Sequence, residues 1–331
     1  YMSATNLGPY SDVDIVALKH IFASREGRIL RYAPCVAHEV ARSDKHLAIE
    51  LLTSVDVDLA LRSAPDFFMW LAHDETIPFD LIRDDQLRRV IEGLRGVPRL
   101  DDHWLNAFLK KAIRRAPSVV LNLAKVRIDD AIASDDWNKQ ALGDVLRDRD
   151  ALELLSLPEG PALLRSLLDW ALGRISDYRF SYHFAELVQS LCSPYDATCV
   201  AIIEEWLAGG TAKHFKVVTA ILRDAGPRFI YSHEGFIARV LQSARAIGRQ
   251  VHKEIASAIF ASAVSGVRSG VPGQPFEFDI QLKTLAEQRL ARLTRTDPAY
   301  DLYRDFRESA AGNIERQIAE GRRMDEEDAE A

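Results

Sequence analysis

Imidazoles and carboxylates of the kinds that bind catalytic metal ions occur at spaced positions in the first half of the chain. His46 precedes the adjacent pair His73 and Asp74 in "LAHDET", and Asp129 or Asp130 follows at a distance. A set of this composition can hold metal ions that activate a water molecule for hydrolysis. The first chemistry to consider is therefore metal-dependent hydrolysis.

These positions resemble the ligand pattern of the all-α metal phosphohydrolases that are named for their His-Asp pair. Membership in that family would imply phosphoester hydrolysis, with His46, His73, Asp74 and a distant aspartate as metal ligands. However, Pro78 follows the pair closely and predicts that it lies at a helix end, where Asp74 borders the next helix. Metal-dependent phosphohydrolysis is kept as a second alternative, and no catalytic or metal-binding residue is assigned.

No other catalytic pattern is present in the sequence. It contains no Walker-type phosphate loop, no dinucleotide-binding fingerprint and no G-x-S-x-G nucleophile elbow. "HEVAR" lacks the second histidine of a zinc-protease helix, and "LAGGTAKHF" predicts a helix end followed by a turn. The scattered Cys35, Cys192 and Cys199 indicate buried, reduced thiols rather than disulfides or a zinc site. We therefore expect no enzymatic activity and no cofactor.

Aromatic and arginine side chains, the commonest anchors of protein interfaces, are concentrated in "DYRFSYHF". The candidate binding residues in this stretch are Tyr178, Arg179, Tyr182 and His183. The alternative interpretation places Phe180 and Phe184 in the core, with Tyr182 and His183 at its border. The stretch is predicted to be a helix entry and not a strand.

A group of cations in "KKAIRR" falls on one helical surface, because positions i, i+1, i+4 and i+5 are neighbours on a helix. The candidate residues are Lys110, Lys111, Arg114 and Arg115. Such a surface would bind phosphate or an acidic partner segment. The alternative is a solvated face that meets acids such as Asp101 and Asp102.

The pattern Arg-x-Ala-Pro precedes an apolar run at Arg31, Arg62 and Arg114. Proline is tolerated at the first helical position, and it forces the preceding helix to end. The pattern therefore predicts a corner between two helices. An arginine near a helix C-terminus would bind its free carbonyls, and the alternative is a ladder of arginines that binds a ligand. The prolines predicted to begin helices are Pro34, Pro65, Pro117, Pro194 and Pro227.

Apolar residues recur at helical spacing along almost the whole chain, and segments with period two are nearly absent, so we predict an all-α fold. The uneven helix–corner–helix intervals over residues 11–265 resemble degenerate HEAT or armadillo repeats. The resemblance implies an irregular HEAT-like α-solenoid of stacked helical hairpins. A compact, irregular all-α domain is the alternative.

Residues 266–323 are predicted to form a loop and C-terminal capping helices. The loop contains "SGVPGQPF", and the helix "DPAYDLYRDFRESAAGNIE" has an apolar residue at every fourth position. These stretches resemble the C-terminal ends of helical-repeat regions in large bacterial NTPase-containing proteins of the antiphage signal-transduction type. The resemblance implies a sensor or scaffold portion of a bacterial protein with a role in antiphage defence, its enzyme lying elsewhere.

Charge and hydropathy limit the classes of partner that we expect for this chain. The net charge is -7, and the stretch "MDEEDAEA" at 324–331 has acids but no base. We predict an acidic disordered tail at 324–331 and a disordered or tag-derived lead at 1–10. No apolar run approaches the length of a membrane span and no leader is recognised, so we expect a cytoplasmic protein without a membrane partner.

The sequence predicts a protein-interaction scaffold or sensor module. It would bind a protein partner, or another module of the same polypeptide, through a helical-repeat surface. The first alternative is a nucleic-acid-binding helical-repeat protein. Negative net charge acts against that alternative, and only a segregated basic face would support it.

Overall fold

The structure is a computed structural model that describes residues 10–64, 66–73, 75, 77–139, 141–142, 152–265, 270–271 and 273–330. It is 75% helical, no strand occurs in these ranges, and the predicted all-α class is confirmed. Short 3-10 turns lie at Phe79–Leu81, Leu94–Gly96 and Leu154–Ser156. The α-helices are α1 (Asp12–Phe22), α2 (Gly27–Leu30), α3 (Ala33–Ala41), α4 (Lys45–Leu52), α5 (Val57–Ser63), α6 (Phe67–Ala72), α7 (Asp84–Gly93), α8 (His103–Arg115), α9 (Pro117–Ser134), α10 (Gly160–Leu172), α11 (Tyr178–Cys192), α12 (Ala197–Leu207), α13 (Ala212–Arg223), α14 (Gly226–Ser232), α15 (Glu234–Ile247), α16 (Arg249–Val264), α17 (Glu277–Leu290) and α18 (Tyr300–Glu330).

The chain divides into two compact units. The first consists of Tyr1–Leu164 and Tyr182–Pro194, and the second of Arg165–Ser181 and Tyr195–Ala331. Apart from Tyr10, the predicted lead at 1–10 lies outside the described residues. Among the helices described, none is both long and apolar enough to cross a membrane.

Helix α8 lies at the centre of the first unit, where it packs against α6 and α9. Its predicted apolar stripe is buried, because the ring of Phe108 lies 5.0 Å from that of Phe68 and 5.8 Å from that of Phe79. Trp104, at the start of the stripe, is half-buried. The fully buried members of the stripe are Leu105, Phe108, Leu109, Ala112 and Ile113.

Proline marks helix beginnings at several of the predicted corners. Pro117 is the first residue of α9, while Pro34 and Pro227 are the second residues of α3 and α14. The missing N–H of proline costs nothing there, because the first turn of a helix has no internal acceptor for it. These three predictions are confirmed, whereas Pro65 lies outside the described residues.

Two local predictions are wrong. Pro194 does not begin a helix, because α12 starts three residues later with Asp196 as its N-cap, whose Oδ1 accepts the N–H of Cys199 at 2.8 Å. Cys35 is exposed, although Cys192 and Cys199 are buried as expected. A cysteine in a helix is buried only when it falls on the apolar stripe, and Cys35 falls beside the stripe of α3.

Helix α16 lies at the centre of the second unit, where it packs against α13, α14, α15 and α18. Two hydrogen bonds fix α14 on it. The N–H of Gly226 donates to Ser262 Oγ at 2.8 Å, and the Tyr231 hydroxyl donates to the Ala263 carbonyl at 2.7 Å. The position of α16 relative to α13 is thus set by a buried apolar face and by α14.

Helix α18 packs along α17 and continues to Glu330. Residues 324–330, for which the sequence predicted an acidic disordered tail, are included in α18. No glycine or proline follows Gly321, and the residues there include strong helix formers. The buried carboxylate of Asp279 on α17 accepts hydrogen bonds from Asn313 and Gln317 of α18 at 3.0 and 2.8 Å. The first half of α18 is thereby held in place.

Arg127 is the largest fully buried side chain of the first unit. It lies on the apolar face of α9, and its guanidinium donates to the carbonyls of Leu94, Arg95, Val97 and Pro98 at 2.5–3.2 Å. Burial lowers the pKa of this guanidinium to about 10, so the group is still protonated at neutral pH. One buried cation thus satisfies the carbonyls of the turn that follows α7.

Replacing Arg127 by Met keeps a long apolar stem but removes the guanidinium donors from these carbonyls. We expect the Arg127→Met variant to lose about 3 kcal/mol of unfolding free energy, because a buried carbonyl without a donor costs about 1–3 kcal/mol. Urea unfolding followed by circular dichroism measures this loss. The control is Arg88→Met on the exposed face of α7, where we expect a change within about 0.5 kcal/mol. Equal losses in both variants would contradict the structural role of Arg127.

Candidate ligand-binding groove

A groove of about 380 Å³, lined in part by charged and hydroxyl side chains, lies in the second unit, between α13, α16 and the turn that joins α10 to α11. The volume lies within the range of about 300–1,000 Å³ that is usual for ligand sites. The lining residues are Ile175, Ser176, Tyr178, Ser181, Lys216, Thr219, Ala220, Arg223, Gln250, Lys253, Glu254 and Ser257.

Two helices contribute the groove residues with the same spacing. From α13 come positions 216, 219, 220 and 223, and from α16 come positions 250, 253, 254 and 257. Both sets follow i, i+3, i+4, i+7, which is one face of a helix. The opposite face of each helix is apolar and buried, so packing of α13 on α16 turns the two polar strips toward the groove.

Three cations of the groove have no partner among the described residues. Lys216, Arg223 and Lys253 are exposed, and among the described residues no side chain or carbonyl forms a hydrogen bond or ion pair with them. Arg223 is the last residue of α13, where the helix dipole favours a positive charge. The charges of these three side chains are therefore available to a ligand.

One carboxylate, that of Glu254, faces the same groove. Its Oε1 accepts a hydrogen bond from Gln250 Nε2 at 2.8 Å. Three cations against this one anion give the lining a net charge of +2. The groove is thus locally basic in a chain whose net charge is -7.

Hydroxyl groups complete the lining. The Thr219 hydroxyl donates to the Phe215 carbonyl at 2.7 Å and that of Ser181 to the Asp177 carbonyl at 3.1 Å, so both protons are used within the helices. The hydroxyls of Ser176 and Ser257 have no such bond to a described residue. Cations and hydroxyl donors together suit an anionic ligand.

The sequence patterns did not indicate Lys216, Arg223, Gln250 or Lys253 as ligand-binding residues. Each occupies an ordinary solvent-facing position in its own helix, and α13 and α16 are separated by two other helices along the chain. The sequence feature that could have indicated these residues is the spacing i, i+3, i+4, i+7, which recurs in α13 and α16. Only the packing of the two helices brings the strips together.

The structure separates the residues predicted from "DYRFSYHF". Tyr178 is 72% exposed at the edge of the groove, while Arg179 forms an ion pair with Asp177 at 3.0 Å. Tyr182 and His183 belong to the first unit, where both rings contact that of Trp137. Phe180 and Phe184 are fully buried, as the alternative interpretation expected.

The "KKAIRR" cations bind groups within the first unit. Lys111 Nζ donates to the Ala72 carbonyl at 2.6 Å, Arg114 pairs with Glu153 at 3.0 Å, and Arg115 pairs with Asp84 at 2.8 Å. Lys110 is half-buried and also interacts within the structure. Neither Asp101, which pairs with Arg99, nor Asp102, which caps α8, is shown to be the partner.

The residues that resemble a metal-ligand pattern form no metal-binding group within the described part of the chain. His73 is the exposed C-cap of α6, as Pro78 predicts, and its partner Asp74 lies outside the described residues. His46 is exposed in the first turn of α4. Within the described part of the chain, no group of three or more His, Cys, Asp or Glu side chains could hold a metal ion.

Asp130 is engaged in an ion-pair network. Its carboxylate accepts from Arg95 at 2.8 and 2.9 Å, and Lys139 lies 3.4 Å away. The hydrogen bond from Arg95, followed in effect by the charge of Lys139, lowers the pKa of Asp130 from 3.8 to about 2. The other candidate, Asp129, is exposed.

A carboxylate whose pKa is lower in the folded state stabilises the fold above its unfolded pKa. This contribution of Asp130 should be complete above about pH 5 and should be lost as pH falls from about 4 to 2. We therefore expect Asp130→Asn to lower the urea midpoint at neutral pH, with the difference from wild type shrinking toward pH 2. Asp80→Asn, at an exposed position, is the control and should show a smaller effect. A difference independent of pH would contradict the ionic role.

Comparisons with known proteins give this chain no relatives: no protein-family model, curated protein or solved structure matches it. The resemblances to HEAT or armadillo repeats and to NTPase-associated helical regions therefore stay expectations.

Proposed function

We propose that the chain is a protein-binding helical module whose basic groove takes an acidic segment of a partner protein or of another module of the same polypeptide. The observation that carries the proposal is a set of three cations on one groove, Lys216, Arg223 and Lys253, which pair with no residue that the structure describes. Opposite charges across an interface speed the encounter and select the partner.

The proposal includes a HEAT-like arrangement of the helices. Within each unit, consecutive helices joined by short corners pack as pairs, among them α3 with α4, α8 with α9 and α15 with α16. Such pairs are the building blocks of HEAT-type stacks. A HEAT-like arrangement would present helical faces such as those of α13 and α16 to a partner. A role as the sensor portion of a larger NTPase-containing protein belongs to the same proposal.

Nucleic acid is the second candidate ligand. The groove is a segregated basic face, and Tyr178 exposes a ring at its edge on which a base could stack. Against this, proteins that bind nucleic acid usually carry a strongly basic surface, and this chain has a net charge of -7.

Charge reversal in the groove tests the proposal. We expect the purified chain to bind fluorescent hexaglutamate at low salt, and Lys216→Glu/Arg223→Glu to weaken binding at least about tenfold, because two attractions become repulsions. Fluorescence anisotropy measures the affinity. The control, Arg88→Glu/Arg89→Glu on α7 of the first unit, changes the net charge equally at exposed positions that do not line the groove.

Two outcomes would contradict this proposal. If both double variants weakened binding equally, the groove would not be the site. If an oligothymidylate bound more tightly than hexaglutamate and was displaced by the groove variant alone, nucleic acid would be the ligand. Binding of oligothymidylate should then fall steeply with salt, since counterions are released from the phosphates.

The remaining alternative, metal-dependent phosphohydrolysis, has its own test. With Mg²⁺, Mn²⁺, Zn²⁺ or Ni²⁺ added, we expect the chain to release no phosphate from nucleotides or p-nitrophenyl phosphate, because His73 and His46 are exposed and do not converge with a third ligand among the described residues. Phosphate release is measured by a colorimetric assay. Metal-dependent turnover that is abolished by His73→Ala would overturn the binding-only proposal.

A further inference from the structure

We propose that the ligand of the basic groove is a phosphorylated protein segment, whose phosphate monoester lies among Lys216, Arg223 and Lys253. This inference rests on the proposed function, because it names the chemistry of the acidic segment that the groove would take. It is supported by the charge of the lining, by its donors and by the room around them.

The charge of the lining matches a phosphate better than a carboxylate. Among the described lining residues, Lys216, Arg223 and Lys253 are opposed by one carboxylate, that of Glu254, which leaves a net charge of +2. A phosphate monoester carries about -1.5 to -2 at pH 7, whereas a carboxylate carries a single negative charge. A phosphate therefore neutralises the groove, while one glutamate would leave positive charge uncompensated.

The donors of the groove also suit phosphate oxygens. The planar guanidinium of Arg223 can donate two parallel hydrogen bonds to one phosphate, and the two lysines act as point charges beside it. Ser176 and Ser257 offer hydroxyls that no described residue engages. A phosphate has three strongly accepting terminal oxygens and can use more of these donors than a carboxylate can.

The groove has room for the residues that flank the phosphate. Its volume is about 380 Å³, and Lys216 and Arg223 are about 10 Å apart along the axis of α13. The long side chains can converge on one group, while the space along α13 accommodates neighbouring residues of the segment. Tyr178, 72% exposed at the edge, offers an aromatic face to one of their side chains.

Glu254 supplies selectivity. Its half-buried carboxylate is held by Gln250 at 2.8 Å and repels any anion that enters the groove. A ligand with one negative charge gains little against this repulsion, whereas a dianion gains more from the three cations. Removing the charge of Glu254 should therefore raise the affinity for every anion. This variant tests the proposal through tighter binding, whereas variants of the cations test it through weaker binding.

The experiment uses three short peptides of the same neutral sequence with serine, glutamate or phosphoserine at the centre. Isothermal titration calorimetry with the full chain measures each affinity. We expect the phosphoserine peptide to bind at least about tenfold more tightly than the glutamate peptide, and the serine peptide to bind more weakly still. Inorganic phosphate should compete with the phosphoserine peptide.

Two variants separate phosphate recognition from general attraction. Arg223→Lys keeps the charge but removes the planar fork of donors, so the preference for phosphoserine over glutamate should fall at least about threefold. Glu254→Gln should bind both anionic peptides more tightly than wild type does. A variant that has merely misfolded cannot show this gain.

The pH dependence gives an independent measurement. The second pKa of a phosphate monoester is about 6, so affinity for the phosphoserine peptide should fall between about pH 7.5 and 5.5, while that for the glutamate peptide should hold or rise. Equal binding of both peptides would overturn the phosphate inference and leave the acidic-segment function standing. No binding of either peptide or of hexaglutamate would overturn both.

Discussion

The buried guanidinium of Arg127 is the interaction on which the packing of the first unit depends. Short helices create many ends, and each end leaves carbonyls that have no partner within the helix. The turn after α7 turns several of them toward α9, where only a cation with a planar fork of donors can satisfy them together. The same constraint recurs where Lys111 binds the Ala72 carbonyl at the end of α6.

This constraint divides the cations of the chain into two groups. Those of the first group, such as Lys111, Arg115 and Arg127, have acceptors inside the fold and cannot serve a ligand without losing them. Those of the second group, Lys216, Arg223 and Lys253, have no acceptor in the described structure. A dense basic run such as "KKAIRR" therefore indicates a binding surface less well than three dispersed cations do, because neighbouring helix ends and acids occupy it.

The all-α class could be predicted because the spacing of apolar residues and the prolines at helix starts are local properties of a sequence. The apolar stripe of α8 and the helix start at Pro117 are determined by residues that lie close together along the chain. The groove could not be predicted, since Lys216 and Lys253 meet only after α13 packs on α16. Arg127 was detectable in principle as an arginine on the apolar stripe of α9. The composition of 324–330 resembled a disordered tail, yet helix propensity without a breaker carries α18 onward.

The negative charge of the rest of the chain limits which anionic ligands the groove can bind. At physiological ionic strength a charge is screened over about 8 Å, so the field of Lys216, Arg223 and Lys253 acts only within the groove and just beyond it. A long polyanion must extend past that distance onto a chain whose net charge is -7, where it meets repulsion. A short segment with its negative charge concentrated at one residue stays inside the attractive field. The combination of a basic groove and an acidic chain therefore favours a compact anionic group on a protein segment over nucleic acid.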